Sequence, residues 1–477
     1  MDARQSEVEE TDTLLPNSSA RQKHEELMSR ALDQSEIRGF HRKLFLFSIF
    51  VWFCQGCLMT VDGLILTAVK KEFGVTDVVL GAYNYNLGIG LFFGCFMTAV
   101  SDVHGRRKTF IAFSVAVAVC ASCQSIPRTF LQLLCVRVLL GVSMSGVWLT
   151  TPVLLAEALP VRNRGAYLLL YCCGWPLGSV VSVGLVKLAL PNWRLALVLS
   201  SIPATVLPIL AYFYIPESPR YLISQGRYKP VKELIGVLYN KSGSGVYQED
   251  YSGIPDAPPS PPEAEAVKRT HSRGWGGYSL LIKRRDVHRP TLFFCLCWTF
   301  LAAASWGMST WLPTIIERKS GKGASTGKMD PLRIVLINSV CDFVIIVIAS
   351  FAVDSFGRKF ILYVGAVGSL AASFLLSLAT TEVSAMVLSG FHQMAQAILW
   401  IVLAAFTTES FPTDIRSTVY GITNGTARVG MITSIILTGL LITSNVNFPL
   451  HFISGCYGTF FVIIFFLPHD TTNKSMR

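Results

Sequence analysis

Four ionisable residues lie inside long apolar runs of this chain, at Asp62, Arg137, Asp342 and Arg428. A charge within an apolar segment is costly, so each is by default a functional-site hypothesis. The guanidinium of Arg428 offers a two-pronged donor for a carboxylate or sulfonate. The carboxylates of Asp62 and Asp342 can take up and release a proton. The four residues therefore suggest a site for organic ions inside an apolar bundle.

Each of these roles has a structural alternative. Arg428 either contacts a substrate or pairs permanently with Asp342 or Asp62. Asp62 and Asp342 are candidates for substrate binding and for proton coupling, and a hydrogen-bonding role between helices would also explain them. The sequence alone leaves these alternatives open.

A charged motif occurs twice in the chain at the same spacing. Its first copy holds Asp102, Arg106 and Arg107, followed by Glu157 and Arg164. The second copy lies 252 positions later (354 − 102 and 409 − 157) and consists of Asp354, Arg358, Glu409 and Arg416. Charge-assisted hydrogen bonds among these groups would hold one face of a bundle closed and release on opening. The alternative is a set of topology anchors. Two copies in register predict a membrane protein built from two related halves.

The composition also indicates a membrane protein. Hydrophobic residues make up 51% of the 477 residues and charged residues only 15%, against about 25% charged in soluble chains. The net charge of +11 is scattered between apolar runs and does not indicate nucleic-acid binding. Twelve runs are long enough to cross a bilayer. They cover 44–69, 78–100, 110–126, 130–159, 166–190, 195–215, 292–316, 332–353, 360–378, 383–408, 419–443 and 448–467. We therefore expect an all-α polytopic membrane protein with two six-helix halves.

Lys and Arg concentrate in the loops after spans 2, 4, 8 and 10, which predicts that both termini face the cytoplasm. The basic loop after span 7 breaks this pattern, and we expect it on the opposite face. The predicted units are a cytoplasmic tail (1–43), a first half (44–216), a Pro-rich cytoplasmic linker loop (217–290), a second half (291–467) and a cytoplasmic tail (468–477).

Several motifs resemble the major facilitator superfamily. They are Asp-x-x-Gly-Arg-Arg from Asp102, Arg137-x-x-x-Gly141, Glu-x-x-Pro-x-x-x-Arg in both halves, and Pro216-Glu-Ser-Pro-Arg220 after span 6. The likeness covers 44–470. Within the superfamily the chain most resembles the organic ion transporters and the synaptic vesicle 2-related proteins, through Asp62 and Gly425-Thr-Ala-Arg428-Val-Gly430. The glutamine-rich span 7 signature of sugar porters is missing.

The resemblance implies halves related by a pseudo-two-fold axis, with spans 1, 4, 7, 8, 10 and 11 lining a cavity. It gives Arg137 a structural role and makes Arg428 an anion contact. Aromatic rings on these helices would suit a flat organic ligand, so we expect Trp148 and Trp306 beside the substrate. We therefore expect a transporter of small organic anions or carboxylates that works by alternating access, with protons as the candidate coupling ion. Enzyme activity, a cofactor and a metal are not expected. Two alternatives are an organic cation transporter and a nontransporting vesicle protein or receptor on the same fold.

The N-terminal tail contains a candidate sorting signal. Glu10, Leu14 and Leu15 resemble an acidic dileucine motif, which clathrin adaptors would read. This favours an endosomal, lysosomal or vesicle membrane, with the plasma membrane as the alternative. The expected partners are thus a small organic ion, the bilayer and adaptors, and no nucleic acid.

Overall fold

The structure is a computed structural model. It describes residues 39–75, 77–97, 100–101, 104–160, 164–218, 221–222, 229, 231, 233, 281–282, 284–319, 331–379, 381–411 and 415–467. These residues form twelve long helical elements. The first half contains α1 (Gly39–Phe73), α2 (Asp77–Phe96), α3 (Arg106–Cys123), α4 (Phe130–Ala158), α5 (Arg164–Leu170 and Gly174–Ala189) and α6 (Trp193–Tyr214). The second contains α7 (His288–Lys319), α8 (Pro331–Phe356), α9 (Arg358–Leu378), α10 (Glu382–Ser410), α11 (Arg416–Ser444) and α12 (Phe448–Ile464).

The helices have the length and composition of membrane spans. In the described part of the chain, nine helices are long and apolar enough to cross a bilayer, and α12 is a shorter apolar helix. Large apolar side chains such as Leu188, Phe213 and Phe351 are more than two-thirds exposed, as expected where a helix faces lipid tails rather than water. The prediction of an all-α polytopic membrane protein is confirmed.

The two halves repeat the same packing. In the first half α1 packs on α5, α2 on α4 and α3 on α6. In the second half the equivalent pairs are α7 with α11, α8 with α10 and α9 with α12. The halves meet where α2 packs on α11 and where α5 packs on α8, two contacts that the same symmetry relates. This repetition is the structural counterpart of the duplicated sequence motif.

Small residues allow the close approach of α2 and α4. A Cβ atom on Gly90 would lie 2.1 Å from the carbonyl oxygen of Val138. A Cβ atom on Gly141 would lie 2.4 Å from the carbonyl oxygen of Leu87. Glycine at such contacts is a common means of packing helices inside membranes. It brings α4, which carries Arg137 and Trp148, firmly against α2.

One helix differs from its predicted continuous span. A single 3-10 turn at Tyr171–Cys173 divides α5 into two segments. Immediately after the turn, a Cβ atom on Gly174 would lie 2.1 Å from the carbonyl oxygen of Ile49 on α1. Short 3-10 stretches within a helix often mark a functional or strained position. Here the turn places the buried ring of Tyr171 edge-on to Trp52 of α1.

Candidate functional site

Arg428 lies in the interior of the bundle, on α11, the helix of the second half that packs against α2 of the first half. It is 1% exposed, and its guanidinium carbon lies 4.9 Å from the ring centroid of Trp148 on α4. Cys95 on α2 and Tyr420 on α11 are its polar neighbours. Among the described residues, neither Nε nor Nη1 of Arg428 has a hydrogen-bond partner. The interface between the halves therefore holds a buried cation with two unused donors.

An aromatic cluster surrounds the ring against which Arg428 packs. We use this name for Trp52, Trp148, Tyr171 and Trp175. The ring of Trp52 meets Trp148 edge-on at 5.2 Å and Tyr171 at 5.5 Å between centroids. Trp175 lies 6.0 Å from Trp148. Helices α1, α4 and α5 thus build an aromatic wall beside the guanidinium, and aromatic faces of this kind accept both cations and flat rings.

Asp62 and Arg137 form a buried ion pair within the first half. Nη1 and Nη2 of Arg137 donate to the two carboxylate oxygens of Asp62 at 2.7 and 3.0 Å. Arg137 also donates to the backbone oxygen of Tyr83 at 2.6 Å and to Oε1 of Gln124 at 3.1 Å. The hydroxyl of Tyr83 donates to Asp62 at 2.9 Å. Asp62 is therefore the partner of Arg137 and not of Arg428.

Asp342 is only partly satisfied. It lies on α8, is 7% exposed, and accepts a hydrogen bond at Oδ2 from Nε2 of Gln393 on α10 at 3.0 Å. Its other oxygen, Oδ1, has no partner in the part of the chain that the structure describes. The side-chain oxygen of Asn338, one helical turn earlier, is likewise shielded and unpartnered. Among the described residues, Asp342 therefore retains one acceptor without a partner, and Asn338 retains another one helical turn away.

Trp306 lies on α7, next in sequence to a close contact between α7 and α11. It is half-buried on α7. At the next residue, a Cβ atom on Gly307 would lie 2.3 Å from the hydroxyl oxygen of Ser434 on α11, so the two helices are in close contact there. Trp148, the other predicted aromatic contact, belongs to the aromatic cluster. The structure thus brings Trp148 to Arg428, whereas it places Asp62 and Asp342 in separate polar clusters.

The charged motifs lie at one end of the bundle, where α2 leads into α3 and α8 leads into α9. We call this end the motif face. Gly105 and Gly357 precede α3 and α9 with φ angles of 94° and 83°, a conformation that favours glycine. In the second half, Nε and Nη2 of Arg358 each donate to Glu409 at 3.1 Å. Arg416 donates to the carbonyl oxygen of Phe411 at the end of α10.

The first half uses a residue that the sequence interpretation did not single out. Oε1 of Glu217 accepts from the backbone N–H groups of Arg106 and Arg107 at 2.8 and 3.2 Å. A carboxylate at a helix N-terminus satisfies free N–H groups and complements the helix dipole. The sequence feature that points to Glu217 is the family motif Pro216-Glu-Ser-Pro-Arg220, which contains it.

Several predicted residues fall outside the described part of the structure. These are Asp102, the side chains of Glu157, Arg164 and Asp354, and the sorting residues Glu10, Leu14 and Leu15. The network proposed for the motif face is therefore described only for Arg106, Arg107, Arg358, Glu409 and Arg416.

Comparison with known proteins identifies the family. Residues 66–476 match the family described as "Sugar (and other) transporter". The chain belongs to this family. This transporter is 25% identical over 432 residues to the niacin transporter NiaP of Acinetobacter baylyi, covering 88% of this chain and 91% of the relative. It is 26% identical over 441 residues to organic cation/carnitine transporter 7 of Arabidopsis thaliana, covering 83% and 81% of the two chains.

A solved structure confirms the fold. The transporter superposes on the major facilitator superfamily proton:xylose symporter XylE with a TM-score of 0.75 and 17% sequence identity, covering 92% of this chain and 98% of XylE. At this identity the likeness shows the fold alone. The chain is thus a major facilitator membrane transporter of small molecules and not an enzyme. The expected superfamily is confirmed.

Proposed function

We propose that this transporter carries small organic anions, with a carboxylate as the recognised group. The observation that supports this most is the buried guanidinium of Arg428, which has two unpartnered donors and packs against Trp148. A buried cation whose donors are only partly satisfied is unfavourable. A carboxylate that accepts from Nη1 would lower that cost through a charge-assisted hydrogen bond.

The surroundings of Arg428 favour a flat ligand. The aromatic cluster presents the edges and faces of several rings next to the guanidinium. The relative from Acinetobacter baylyi is named for niacin, which is an aromatic carboxylate. An aromatic or short carboxylate is therefore our preferred substrate class. Within the superfamily, our preferred branch is the group of organic ion transporters and synaptic vesicle 2-related proteins.

Transport would proceed by alternating access, with the two halves rocking about the α2–α11 and α5–α8 contacts. Arg428 lies on one of these contact helices, so a ligand bound there would touch both halves. On the motif face, the Arg358–Glu409 ion pair is nearly buried, and two hydrogen bonds join its members. We infer that this pair and its counterparts from the first copy stabilise the closed state of that face. The first-copy counterparts are Asp102, Arg106, Arg107, Glu157 and Arg164. Asp354 and Arg416 of the second copy would belong to the same network.

Protons are our preferred coupling ion, with Asp342 as the group that carries them. A proton on Oδ1 of Asp342 would turn one unpartnered acceptor into a donor and remove the charge from an apolar helix. Asp62 remains a second candidate, although both of its oxygens accept from Arg137 and the pair would have to break first. Asp342→Asn should abolish uphill, pH-driven uptake while exchange across equal concentrations continues. Unchanged pH-driven uptake would exclude Asp342.

An organic cation is the second candidate substrate. The free Oδ1 of Asp342 is the observation that favours it, because a buried carboxylate could serve as the counter-ion of an ammonium group. One relative is named as an organic cation/carnitine transporter. Uptake of a quaternary ammonium probe that requires Asp342 but not Arg428 would establish this alternative.

The test of the anion proposal is uptake into proteoliposomes. Purified protein would be reconstituted and given a panel of radiolabelled aromatic and short-chain carboxylates. We expect uptake of at least one, and its loss in Arg428→Ala. The matched control is Arg42→Ala, which removes an exposed arginine of α1 and should leave uptake intact. Normal uptake in Arg428→Ala would refute the assignment, and absence of uptake for every probe would favour a nontransporting receptor.

We further infer that both termini face the cytoplasm and that Glu10, Leu14 and Leu15 direct the protein to an endosomal, lysosomal or vesicle membrane through clathrin adaptors. The basis is the distribution of Lys and Arg and the dileucine pattern. Replacing Leu14 and Leu15 by alanine should move a fluorescent fusion to the plasma membrane. An unchanged distribution would refute the sorting role.

A further inference from the structure

Gln55 is a buried amide that the protein does not satisfy. It lies on α1, one helical turn after Trp52, and is 4% exposed. Both ends of its side-chain amide, Oε1 and Nε2, are shielded and have no hydrogen-bond partner among the residues that the structure describes. A bound molecule can therefore supply the missing partner.

A second buried glutamine, by contrast, has a hydrogen-bond partner within the chain. Gln396 on α10 is 7% exposed, and its Oε1 accepts a hydrogen bond from the hydroxyl of Tyr457 on α12 at 3.3 Å. A buried polar group without a partner is unfavourable and rare in native structures. The difference between the two glutamines singles out Gln55 as a group kept for binding.

The position of Gln55 connects it to the anion site. Trp52, one turn away on the same helix, meets Trp148 at 5.2 Å between ring centroids. The guanidinium of Arg428 packs on that same Trp148 ring at 4.9 Å. The Trp52–Trp148 pair thus links an unpartnered amide from the first half to a guanidinium of the second half that has two unpartnered nitrogens.

We propose that Gln55 determines substrate specificity by pairing with a neutral hydrogen-bonding group of the substrate. The transported molecule would then be a flat carboxylate that also carries a group able to donate and accept, such as an amide or a hydroxyl, since the amide of Gln55 has both capacities. This inference rests on the proposed binding of the carboxylate by Arg428 and adds the second recognised group.

Two probes that differ only in the second group test the inference. Purified full-length protein would be titrated with benzoate and with 3-carbamoylbenzoate, and the Kd of each obtained from thermal-shift curves. We expect the wild-type protein to bind 3-carbamoylbenzoate about tenfold more tightly, as one additional buried hydrogen bond allows. Gln55→Met, of similar volume, should bind both probes equally. Without ligand it should be no less stable than wild type, because it removes two unpartnered polar atoms.

Gln396→Leu is the matched control and should keep the tenfold preference while losing stability, because it leaves the Tyr457 hydroxyl without Gln396. Gln55→Leu repeats the test should the methionine variant fold poorly. A tenfold preference that survives in Gln55→Met or Gln55→Leu, or no preference in the wild type, would overturn the role of Gln55 alone. Binding of neither probe, or binding that Arg428→Leu does not weaken, would instead overturn the proposed anion site.

Discussion

The buried pair of Asp62 and Arg137 allows a stability prediction that can be worked from its contacts. Arg137 is fully buried and donates four hydrogen bonds, two of them to Asp62. Among the described residues, replacing Arg137 by methionine leaves the buried Asp62 carboxylate with only the hydroxyl of Tyr83 as a partner. Removing one member of a buried ion pair costs about 3–5 kcal/mol, because the remaining charge is uncompensated. We expect Arg137→Met to lower the free energy of unfolding by that amount.

The double variant Asp62→Asn/Arg137→Met removes the stranded charge as well. Its free energy of unfolding should recover by about 2 kcal/mol relative to Arg137→Met, since residues in direct contact show coupling of that size. Denaturant titrations of the detergent-solubilised protein, followed by tryptophan fluorescence, would measure all three variants. A cost below about 1 kcal/mol for Arg137→Met, or strictly additive effects in the double variant, would refute the reasoning.

Three further predictions concern the ends of the bundle. Gly105→Ala should cost more than about 1 kcal/mol, measured by the same titrations, because its φ is 94° and a Cβ atom would lie 2.5 Å from a carboxylate oxygen. Glu409→Gln should speed hydrogen exchange in α9 and α10 near the motif face, because it weakens the ion pair with Arg358. The hydrogen bond from Arg194 lowers the pKa of Glu72 below its ordinary value of 4.5. The ionised Glu72 carboxylate therefore makes a modest contribution to the free energy of unfolding above pH 4.5, and this contribution is lost as the pH falls below that value. The stability difference between wild type and Glu72→Gln should vanish in acid.

Much of the fold follows from one-dimensional patterns. The apolar runs and the constant offset between the two charged motifs predicted twelve helices in two related halves, because bilayer thickness fixes the length of a span. The helices extend beyond several predicted spans; α1, for example, covers Gly39–Phe73 rather than 44–69. Helical hydrogen bonding continues past the apolar region, which hydropathy alone does not register. The 3-10 turn in α5 was missed because the run stays apolar there, although Pro176 cannot donate the helical hydrogen bond to the carbonyl oxygen of Cys172.

The candidate site was predicted less completely. The cost of burying a charge pointed to Arg428, Asp342, Asp62 and Arg137 as special residues, but it could not reveal which of them pair. Pairing depends on the relative rotation of α1, α4, α8 and α11, which the apolar pattern does not determine. The sequence also did not predict the aromatic cluster, which forms only when α1, α4 and α5 pack together. Nor did it predict Gln55, because a buried amide stands out only once its lack of a partner is visible.

The most direct test of the central claim compares a carboxylate with its uncharged analogue. Initial uptake rates of labelled nicotinate and nicotinamide would be measured in proteoliposomes that contain the wild-type protein or Arg428→Met. A charge-assisted hydrogen bond contributes about 1.5–3 kcal/mol, which corresponds to a preference of about 10-fold or more. We predict that the wild type prefers nicotinate by at least this factor and that Arg428→Met loses the preference. A preference for nicotinate that persists in Arg428→Met, or a wild type that favours nicotinamide, would contradict the assignment of Arg428 as the anion-binding residue.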